Sequence, residues 1–309
     1  MNILLSGSSG FLGRSLTAAL LRSSHKVSAL SHKSSTSPSS LPDEVRMHYW
    51  DDPVPLREAV SKTDAIINLS GASVGGKRWT PEYKEQIYSS RILTTRRIVE
   101  LIQTAKSAPK LLINASAVGY YGDCGEELLA ETHPPGNDFL SHVCVDWEKE
   151  AMKAEDYGVR VCLMRTGIVL GRGGGALSKI LCPASLPINI WKLGLGGRLG
   201  SGNQWMPWIH LSDVVGLYIM ALSESRFRGA INLTSPAPVR NSEFTQALAA
   251  IHHRPALLPA PSLLLRLLLG EFSTSILGSQ NAHPQIALRL GYPFNFSDLH
   301  YALRDILSY

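Results

Sequence analysis

The sequence predicts an α/β fold in which a doubly wound parallel sheet precedes a small, mainly helical C-terminal domain. Short apolar runs alternate with helical patterns through residues 1–170, the order that a parallel sheet with helices on both faces requires. A glycine-rich turn joins the first run to the first helical pattern, which is typical of a Rossmann-type nucleotide-binding fold. The predicted strands are 2–6, 27–30, 45–50, 65–69, 111–114, 159–164 and 230–233. The helical patterns begin at Leu12 and at Asn241 and cover 56–62, 81–105, 147–155 and 211–221.

Gly7, Gly10 and Gly13 lie on the predicted turn from the first strand into the first helix, spaced G-x-x-G-x-x-G. Gly7 allows the tight turn, Gly10 leaves the backbone open to a pyrophosphate, and Gly13 allows the helix to pack closely on the strand. The N–H groups where the helix begins, around Phe11 and Leu12, attract phosphate. A Gly/Ser-rich loop without a ligand is the alternative, but the flanking strand, helix and strand favour a dinucleotide site.

The end of the second predicted strand indicates which dinucleotide binds. Proteins that bind NAD usually place Asp or Glu there to hold the ribose 2′-hydroxyl. This chain has Ser31, His32 and Lys33, and no carboxylate before Asp43. A hydroxyl donor beside a cation suits a 2′-phosphate, which an acidic residue would repel. The sequence therefore predicts NADP(H) as the cofactor; the alternative for Lys33 is an ordinary solvated loop lysine.

Composition limits the remaining classes of function. The 309 residues are 44% hydrophobic and 18% charged, as in globular proteins. The net charge of +5 comes from scattered basic residues, so we expect no nucleic-acid partner. The 4 cysteines form no C-x-x-C pair and no His cluster has zinc spacing, so we expect no metal and a reducing compartment.

The chain shows no targeting or membrane-spanning pattern. Its N-terminus lacks the basic and apolar regions of a signal peptide. The most apolar late run, 263–269, contains an arginine and is too short to span a bilayer. We therefore expect a cytoplasmic protein without a membrane partner. The sequence leaves the oligomeric state open, and a homodimer is the commonest assembly.

A change in composition after residue 170 predicts the domain organisation. We expect an NADP-binding Rossmann domain over 1–170, to which 209–235 return, and a substrate-side loop and C-terminal domain formed by 171–208 and 236–309. Residues 194–202 are rich in glycine, and together with 203–210 they are predicted as loop, not core. Arg198, Trp205 and His210 are candidates for lining a polar small-molecule substrate. The alternative is a structural loop with its tryptophans folded inward.

The chain resembles the extended or atypical short-chain dehydrogenases/reductases, and within them an epimerase-like family with a distinctive C-terminal domain, some members of which carry a cell-division-inhibitor label. The resemblance rests on motifs along nearly the whole chain, among them GSSGFLG at 7–13, SAVGYYGD at 116–123 and RTGIVLGRGGGAL at 165–177. It implies a Rossmann core with a small substrate domain. It also implies NADP(H) contacts at Ser31, His32, Asn68, Leu69, Gln86, Arg91 and Val169.

The chain departs from this superfamily at its catalytic helix. Typical members use Ser, Tyr and Lys, the last two as Tyr-x-x-x-Lys, with the tyrosine as general acid/base. Ser116 matches the serine, but Leu140 and Cys144 stand where Tyr and Lys are expected. Tyr120 and Tyr121 follow Ser116 closely, and either is a candidate to replace the missing tyrosine. The alternative is that both are packing residues.

Two functions of different class remain. The first is an NADP-dependent oxidoreductase or epimerase acting on a small polar or sugar-like substrate, with Ser116 and Tyr120 or Tyr121 polarising its carbonyl or alcohol. The second is a non-catalytic NADP(H)-binding redox sensor or cell-division regulator that acts through protein partners. The missing Tyr and Lys favour the second, and the retained serine favours the first.

Overall fold

The computed structural model describes residues 1–32, 41–183 and 188–308. The strands are β1 (Asn2–Ser6), β2 (Lys26–Ser31), β3 (Arg46–Tyr49), β4 (Ala65–Asn68), β5 (Leu111–Ala117), β6 (Leu128–Leu129), β7 (Arg160–Thr166), β8 (Ile168–Leu170), β9 (Trp205–Met206), β10 (Trp208–His210), β11 (Gly229–Leu233), β12 (Val239–Arg240) and β13 (Asn281–Ala282). The α-helices are α1 (Phe11–Arg22), α2 (Pro53–Val60), α3 (Pro81–Gln103), α4 (Phe139–Met152), α5 (Gly175–Leu181), α6 (Leu211–Ser223), α7 (Asn241–Ile251), α8 (Ser262–Leu269), α9 (Ser273–Leu277), α10 (Gln285–Arg289) and α11 (Leu299–Leu307).

Seven strands form one parallel sheet in the order β11-β7-β5-β4-β1-β2-β3. The chain builds outward from β1 through β2 to β3, and then returns to the other side of β1 with β4. The order therefore reverses between β1 and β4, and ligands of such sheets bind at the carboxyl ends of the strands at this point. The predicted doubly wound Rossmann-type fold is confirmed.

Each face of the sheet is covered by helices. On one face, Leu16 and Leu20 of α1 pack with Leu217 of α6. On the other face, Leu56 of α2 and Ile98 of α3 pack with the strands. Because both faces are covered, the strands read as continuous apolar runs, which is why the sequence predicts them well.

Helix α4 ends earlier than predicted. It begins at Phe139, where the Asp138 side chain accepts a hydrogen bond of 2.8 Å from the N–H of Ser141, and it carries Leu140 and Cys144 as the resemblance implied. Such a cap satisfies an N–H that the first helical turn leaves without a partner. The helix ends at Met152, and a 3₁₀ helix, Lys153–Tyr157, follows it. The prediction that 147–155 continue a helix is therefore confirmed as far as Met152 and wrong for the last three residues.

The segments after β7 form a further hydrophobic core beside the sheet. Strand β8 pairs in parallel with β10. Trp208 is fully buried in this core with Phe244 of α7 and Leu303 of α11. The prediction that 194–210 is loop and not core is therefore wrong for residues 205–206 and 208–210, which form β9 and β10, and Trp208 folds inward. The predicted domain boundaries stay a prediction. Within residues 1–32, 41–183 and 188–308, no helix is long and apolar enough to cross a membrane.

Candidate cofactor and active site

The turn from β1 into α1, residues 7–13, packs closely against the backbone at Leu69 and against itself. We call this turn the glycine cradle. Gly7 has φ +74°, and a Cβ on it would lie 2.8 Å from the carbonyl atoms of Leu69. A Cβ on Gly13 would lie 2.2 Å from the Gly7 carbonyl oxygen. Gly10 is less crowded, with φ −71° and 3.2 Å between a Cβ and that same oxygen. The fold therefore requires glycine at positions 7 and 13, while Gly10 leaves room at the helix N-terminus, where a pyrophosphate fits.

Phe11 forms one wall of the cradle with the loop after β8. A Cβ on Gly171, Gly174 or Gly175 would lie 2.9, 2.6 or 2.8 Å from the Phe11 ring. The ring therefore packs directly against three glycines, and side chains there would displace it. Leu12, the next residue of α1, packs against the sheet core. The half-buried Val169 lies in β8, immediately before this loop.

Asn68, the last residue of β4, takes part in a buried hydrogen-bond network. Its Nδ2 donates to Asn114 Oδ1 at 2.7 Å and to Thr95 Oγ1 at 2.9 Å. Its Oδ1 accepts from Ser6 Oγ at 2.6 Å. The side chain of Asn68 thus joins β1, β4, β5 and α3 at the ligand-binding edge. It positions Leu69, whose N–H donates to the Ser6 carbonyl oxygen at 3.1 Å.

The end of β2 carries the residues predicted to select the cofactor. Ser31 is half-buried and His32 is exposed, with the His32 ring centroid 6.3 Å from that of Trp50. The Arg97 guanidinium lies 4.8 Å from the Trp50 ring and donates to the Trp50 carbonyl oxygen at 3.0 Å. The side chains of His32 and Arg97 therefore both lie near Trp50, and the sequence did not predict this place for Arg97. Lys33 lies outside the described residues.

Gln86 and Arg91 lie on α3. Gln86 is exposed. The Arg91 guanidinium lies 5.2 Å from the Trp147 ring centroid and donates to the Ile87 carbonyl oxygen at 2.9 Å. A Cβ on Gly71, just past β4, would lie 3.1 Å from Arg91 Cζ. Burial lowers the pKa of Arg91, and none of the described carboxylates forms an ion pair with it. A desolvated cation at this edge suits an anionic or hydroxyl-bearing ligand.

Ser116 belongs to a buried ion-pair network. Its Oγ donates to Glu148 Oε1 at 2.6 Å, and Arg165 donates to both Glu148 oxygens at 2.8 Å. Burial opposes the charge on Arg165, but its hydrogen bonds to Glu148 outweigh burial and raise the pKa of the guanidinium. Sequence reasoning missed Glu148. The available signal was its position four residues after Cys144, on the same face of α4.

Tyr121 and Tyr120 have different surroundings. Tyr121 is 1% exposed; its hydroxyl donates to Asn232 Oδ1 at 2.7 Å and accepts from Arg165 Nη1 at 3.1 Å. Burial raises the pKa of Tyr121 to about 12, although Arg165 and Asn232 act against this. Tyr120 is half-buried, and its ring centroid lies 3.4 Å from Arg165 Cζ. No hydrogen bond of the Tyr120 hydroxyl is found in the described part of the chain.

The two positions that depart from Tyr-x-x-x-Lys face this site. Leu140 Cβ would lie 3.4 Å from a Cβ on Gly119, in the turn before Tyr120. Cys144 is buried, and burial raises the pKa of its thiol to about 12. A neutral thiol cannot supply the cation that a lysine brings. The negative charge of Glu148 raises that pKa further, while the positive charges of Arg91 on α3 and Arg165 on β7 act against it.

The three predicted substrate residues are in different environments. Arg198 is exposed. Trp205 is half-buried; its Nε1 donates to Glu126 at 3.0 Å, and its ring lies 4.5 Å from the Arg240 guanidinium. His210 is buried, with its ring 4.0 Å from that of Phe296. Its Nδ1 caps α6 by accepting from the N–H of Ser212 at 3.2 Å. A structural role thus accounts for His210, and the substrate roles stay predictions.

Known proteins resemble this chain along its whole length. A family model described as "NAD dependent epimerase/dehydratase family" matches residues 3–233, and one described as "Domain of unknown function (DUF1731)" matches 260–306. The epimerase family protein YfhF of Bacillus subtilis is 38% identical over 313 residues, covering 100% of this chain and 98% of YfhF.

Two further relatives come from eukaryotes. The chloroplastic epimerase family protein SDR39U1 homolog of Arabidopsis thaliana is 37% identical, covering 100% of this chain and 87% of that protein. The crystal structure of human epimerase family protein SDR39U1 (isoform 2) with NADPH is 32% identical with a TM-score of 0.87, covering 99% of each chain. Because one relative is chloroplastic, the cytoplasmic location of this chain stays a prediction.

These matches confirm the resemblance to atypical, epimerase-like short-chain dehydrogenases/reductases. The first family model spans most of the chain, including every strand of the parallel sheet. The second covers the C-terminal helices from α8 to nearly the end of α11. The cradle at Gly7 and Gly13 has the geometry that a nicotinamide dinucleotide requires. The chain belongs to the NAD dependent epimerase/dehydratase family and carries the DUF1731 domain at its C-terminal end.

Proposed function

We propose that this chain is an NADP(H)-dependent oxidoreductase or epimerase that acts on a small polar or sugar-like substrate. The observation that carries the proposal is the glycine cradle, which opens at the carboxyl ends of β1 and β4. Strand β5, which ends in Ser116 and Ala117, is two strand spacings or about 10 Å from β1. A dinucleotide on the cradle can therefore reach the residues that follow β5.

The basic side chains at the end of β2 support NADP(H) over NAD(H). Ser31 offers a hydroxyl, the guanidinium of Arg97 offers a positive charge beside Trp50, and the His32 ring lies near the same tryptophan. A 2′-phosphate can accept a hydrogen bond from the hydroxyl and is attracted by the positive charge, whereas a 2′-hydroxyl is attracted only weakly by that charge. The human relative is described with NADPH, which agrees with this choice.

Tyr120 is the residue that we assign as proton donor and acceptor. A bound nicotinamide supplies or accepts the hydride. The Tyr120 hydroxyl holds the proton that a substrate oxygen gains or loses, while Arg165 keeps a positive charge against its ring. Ser116 Oγ directs its own hydrogen to Glu148, so its lone pairs can accept from a substrate hydroxyl. Tyr121 serves as a support, because both Asn232 and Arg165 occupy its hydroxyl.

One observation favours the second candidate, a non-catalytic NADP(H)-binding sensor. The Ser116 hydroxyl donates its hydrogen bond to the buried Glu148, and the Tyr121 hydroxyl donates to the buried Asn232. Neither hydroxyl hydrogen is therefore directed to a substrate. Cys144 provides no cation where the superfamily has lysine. A protein of this kind would bind NADPH and change its contacts with a partner, but would turn over no substrate.

Two experiments separate these candidates. Quenching of tryptophan fluorescence by NADPH and by NADH measures cofactor choice, and we expect NADPH to bind more tightly. A panel of carbonyl compounds, with NADPH oxidation as the readout, measures turnover. If a substrate is found, Tyr120→Phe should lower kcat by about a hundredfold, while Tyr121→Phe should change kcat far less. Turnover that survives Tyr120→Phe unchanged would remove Tyr120 from the mechanism; a silent panel with intact NADPH binding would favour the sensor.

A further inference from the structure

Helix α8 presents a continuous stripe of leucines to solvent. Leu263, Leu264, Leu267 and Leu268 are 80, 46, 70 and 63% exposed, and none of the 8 residues of α8 is buried. These leucines are spaced i, i+1, i+4 and i+5, which places them on one side of a helix. So short a helix is only marginally stable in water unless an apolar face is packed. Exposed leucines on so short a helix are typical of a surface that binds a partner.

Two flanking segments extend this stripe. The Ala260 N–H donates to the Arg198 carbonyl oxygen at 2.9 Å, and the Gly200 N–H donates to the Ala260 carbonyl oxygen at 2.9 Å. The segments around 198 and 260 therefore run side by side into α8. They add four leucines that are each more than half exposed: Leu193, Leu195, Leu257 and Leu258. We call the α8 stripe and these four residues the leucine face.

All charged side chains in the segments that form the leucine face are basic. Residues 188–203 and 252–270 contain Lys192, Arg198, Arg254 and Arg266, and neither segment contains Asp or Glu. Arg266 lies in the middle of α8 and is exposed. The first acidic residue after the second segment is Glu271. It forms an ion pair with Lys84, with 2.8 Å between Glu271 Oε1 and Lys84 Nζ. The two segments thus combine exposed leucines with basic residues and contain no acidic residue.

The charge of the leucine face distinguishes between two possible partners, a second copy of the chain and a membrane surface. A second copy of the chain, packed face to face, would bring the same basic residues together. An anionic bilayer surface offers acyl chains to the leucines and phosphates to the arginines. We propose that the leucine face docks the protein on a membrane surface rich in anionic phospholipid. The expectation of no membrane partner rested on the length needed to span a bilayer, which surface docking does not require.

Vesicle flotation with the full chain tests this proposal at low salt. One set of vesicles is phosphatidylcholine, and the other is equal parts phosphatidylcholine and phosphatidylglycerol. We expect the wild type to float with the mixed vesicles and to remain largely free with phosphatidylcholine alone. L263Q/L267Q should weaken binding by about tenfold or more, and R266Q should weaken it by about fivefold on the mixed vesicles.

The matched control is L93Q/L128Q, which changes two leucines that are 51 and 55% exposed elsewhere on the chain. It should bind vesicles as the wild type does, and the far-UV circular dichroism and melting of all variants should match wild type. The proposal is overturned if the wild type does not float with mixed vesicles, or if L263Q/L267Q floats equally well. A concentration-dependent dimer in sedimentation velocity that L263Q/L267Q abolishes, without vesicle binding, would assign the face to a second copy instead.

Discussion

The Arg165 guanidinium lies 3.4 Å from the centroid of the Tyr120 ring, and Glu148 holds it there through two hydrogen bonds of 2.8 Å. A cation over an aromatic face is attracted by the ring quadrupole, and the attraction grows when the cation is desolvated. The same carboxylate accepts the hydrogen of Ser116. One ion pair therefore organises both the serine that the superfamily retains and the tyrosine that we assign to proton transfer.

Replacement of Glu148 by glutamine should destabilise the protein strongly. Arg165 would keep its charge in the interior without a counter-charge, and breaking a buried pair in this way typically costs about 3–5 kcal/mol. Urea unfolding measures the loss in the free energy of unfolding. Glu155→Gln is the matched control, because its pair with Arg228 is on the surface, with side chains 25 and 64% exposed; we expect a far smaller loss there, since water screens the pair. Equal losses in the two variants would contradict the central role of Glu148.

Gly10→Ala should separate cofactor binding from folding. The Gly10 φ of −71° suits alanine, and the new methyl group would meet the Gly7 oxygen at 3.2 Å. The free energy of unfolding should change by less than about 1 kcal/mol, while NADPH affinity should fall by about tenfold or more, since the methyl group stands in the path of the pyrophosphate.

Fluorescence titration with NADPH and thermal melting together measure these two effects. Ser15→Ala, one turn further along α1, serves as the control and should bind NADPH normally. If Gly10→Ala binds NADPH with wild-type affinity, the pyrophosphate does not lie at this turn.

Ser31→Asp should weaken NADPH binding more than NADH binding. A carboxylate at the end of β2 would repel a 2′-phosphate, and such like-charge contacts reduce affinity by about tenfold or more. The ratio of the two dissociation constants is the measurement, since it cancels general damage to the site. Thr104→Asp, at an exposed position after α3, should leave this ratio at its wild-type value. An unchanged ratio in Ser31→Asp would place the 2′-phosphate elsewhere.

Stability should fall as the pH is lowered from 7.5 to 5.5. Burial lowers the pKa of His48, His210 and His283 below the ordinary value of 6.5. Below pH 6.5 the unfolded chain therefore binds protons that the folded chain does not, so folding loses free energy as pH falls through this range. Urea midpoints at fixed ionic strength measure the change.

His210→Gln should reduce this pH dependence, because the unfolded chain then has one imidazole fewer to protonate. His300→Gln, at an exposed position on α11, should leave the slope of midpoint against pH as it is in the wild type. A His210→Gln variant with the full wild-type slope would show that His210 does not contribute.

Much of the sheet could be predicted from the sequence because local patterns carry it. The buried strands are continuous apolar runs, and Gly7, Gly10 and Gly13 lie in one turn, in which the Gly10 N–H donates to the Gly7 carbonyl oxygen. The close approach of Leu69 to Gly7 depends on the packing of β4 beside β1, which the turn itself does not record. The end of α4 could not be predicted as well, because the chain passes from the α-helix into a 3₁₀ helix at Lys153. The earlier part of that helix was implied by the resemblance, which places Leu140 and Cys144 on it.

By itself, the sequence determined the fold class, the cofactor turn and the loss of Tyr-x-x-x-Lys, since each is visible in neighbouring residues. Only the tertiary structure decided how the catalytic candidates differ. Tyr120 and Tyr121 are adjacent in the chain, yet Asn232 occupies the Tyr121 hydroxyl while Arg165 lies on the Tyr120 ring. Glu148 and Arg165 are 17 residues apart and meet because α4 packs against β7. Contacts of this kind depend on the packing of distant elements, which no local pattern records.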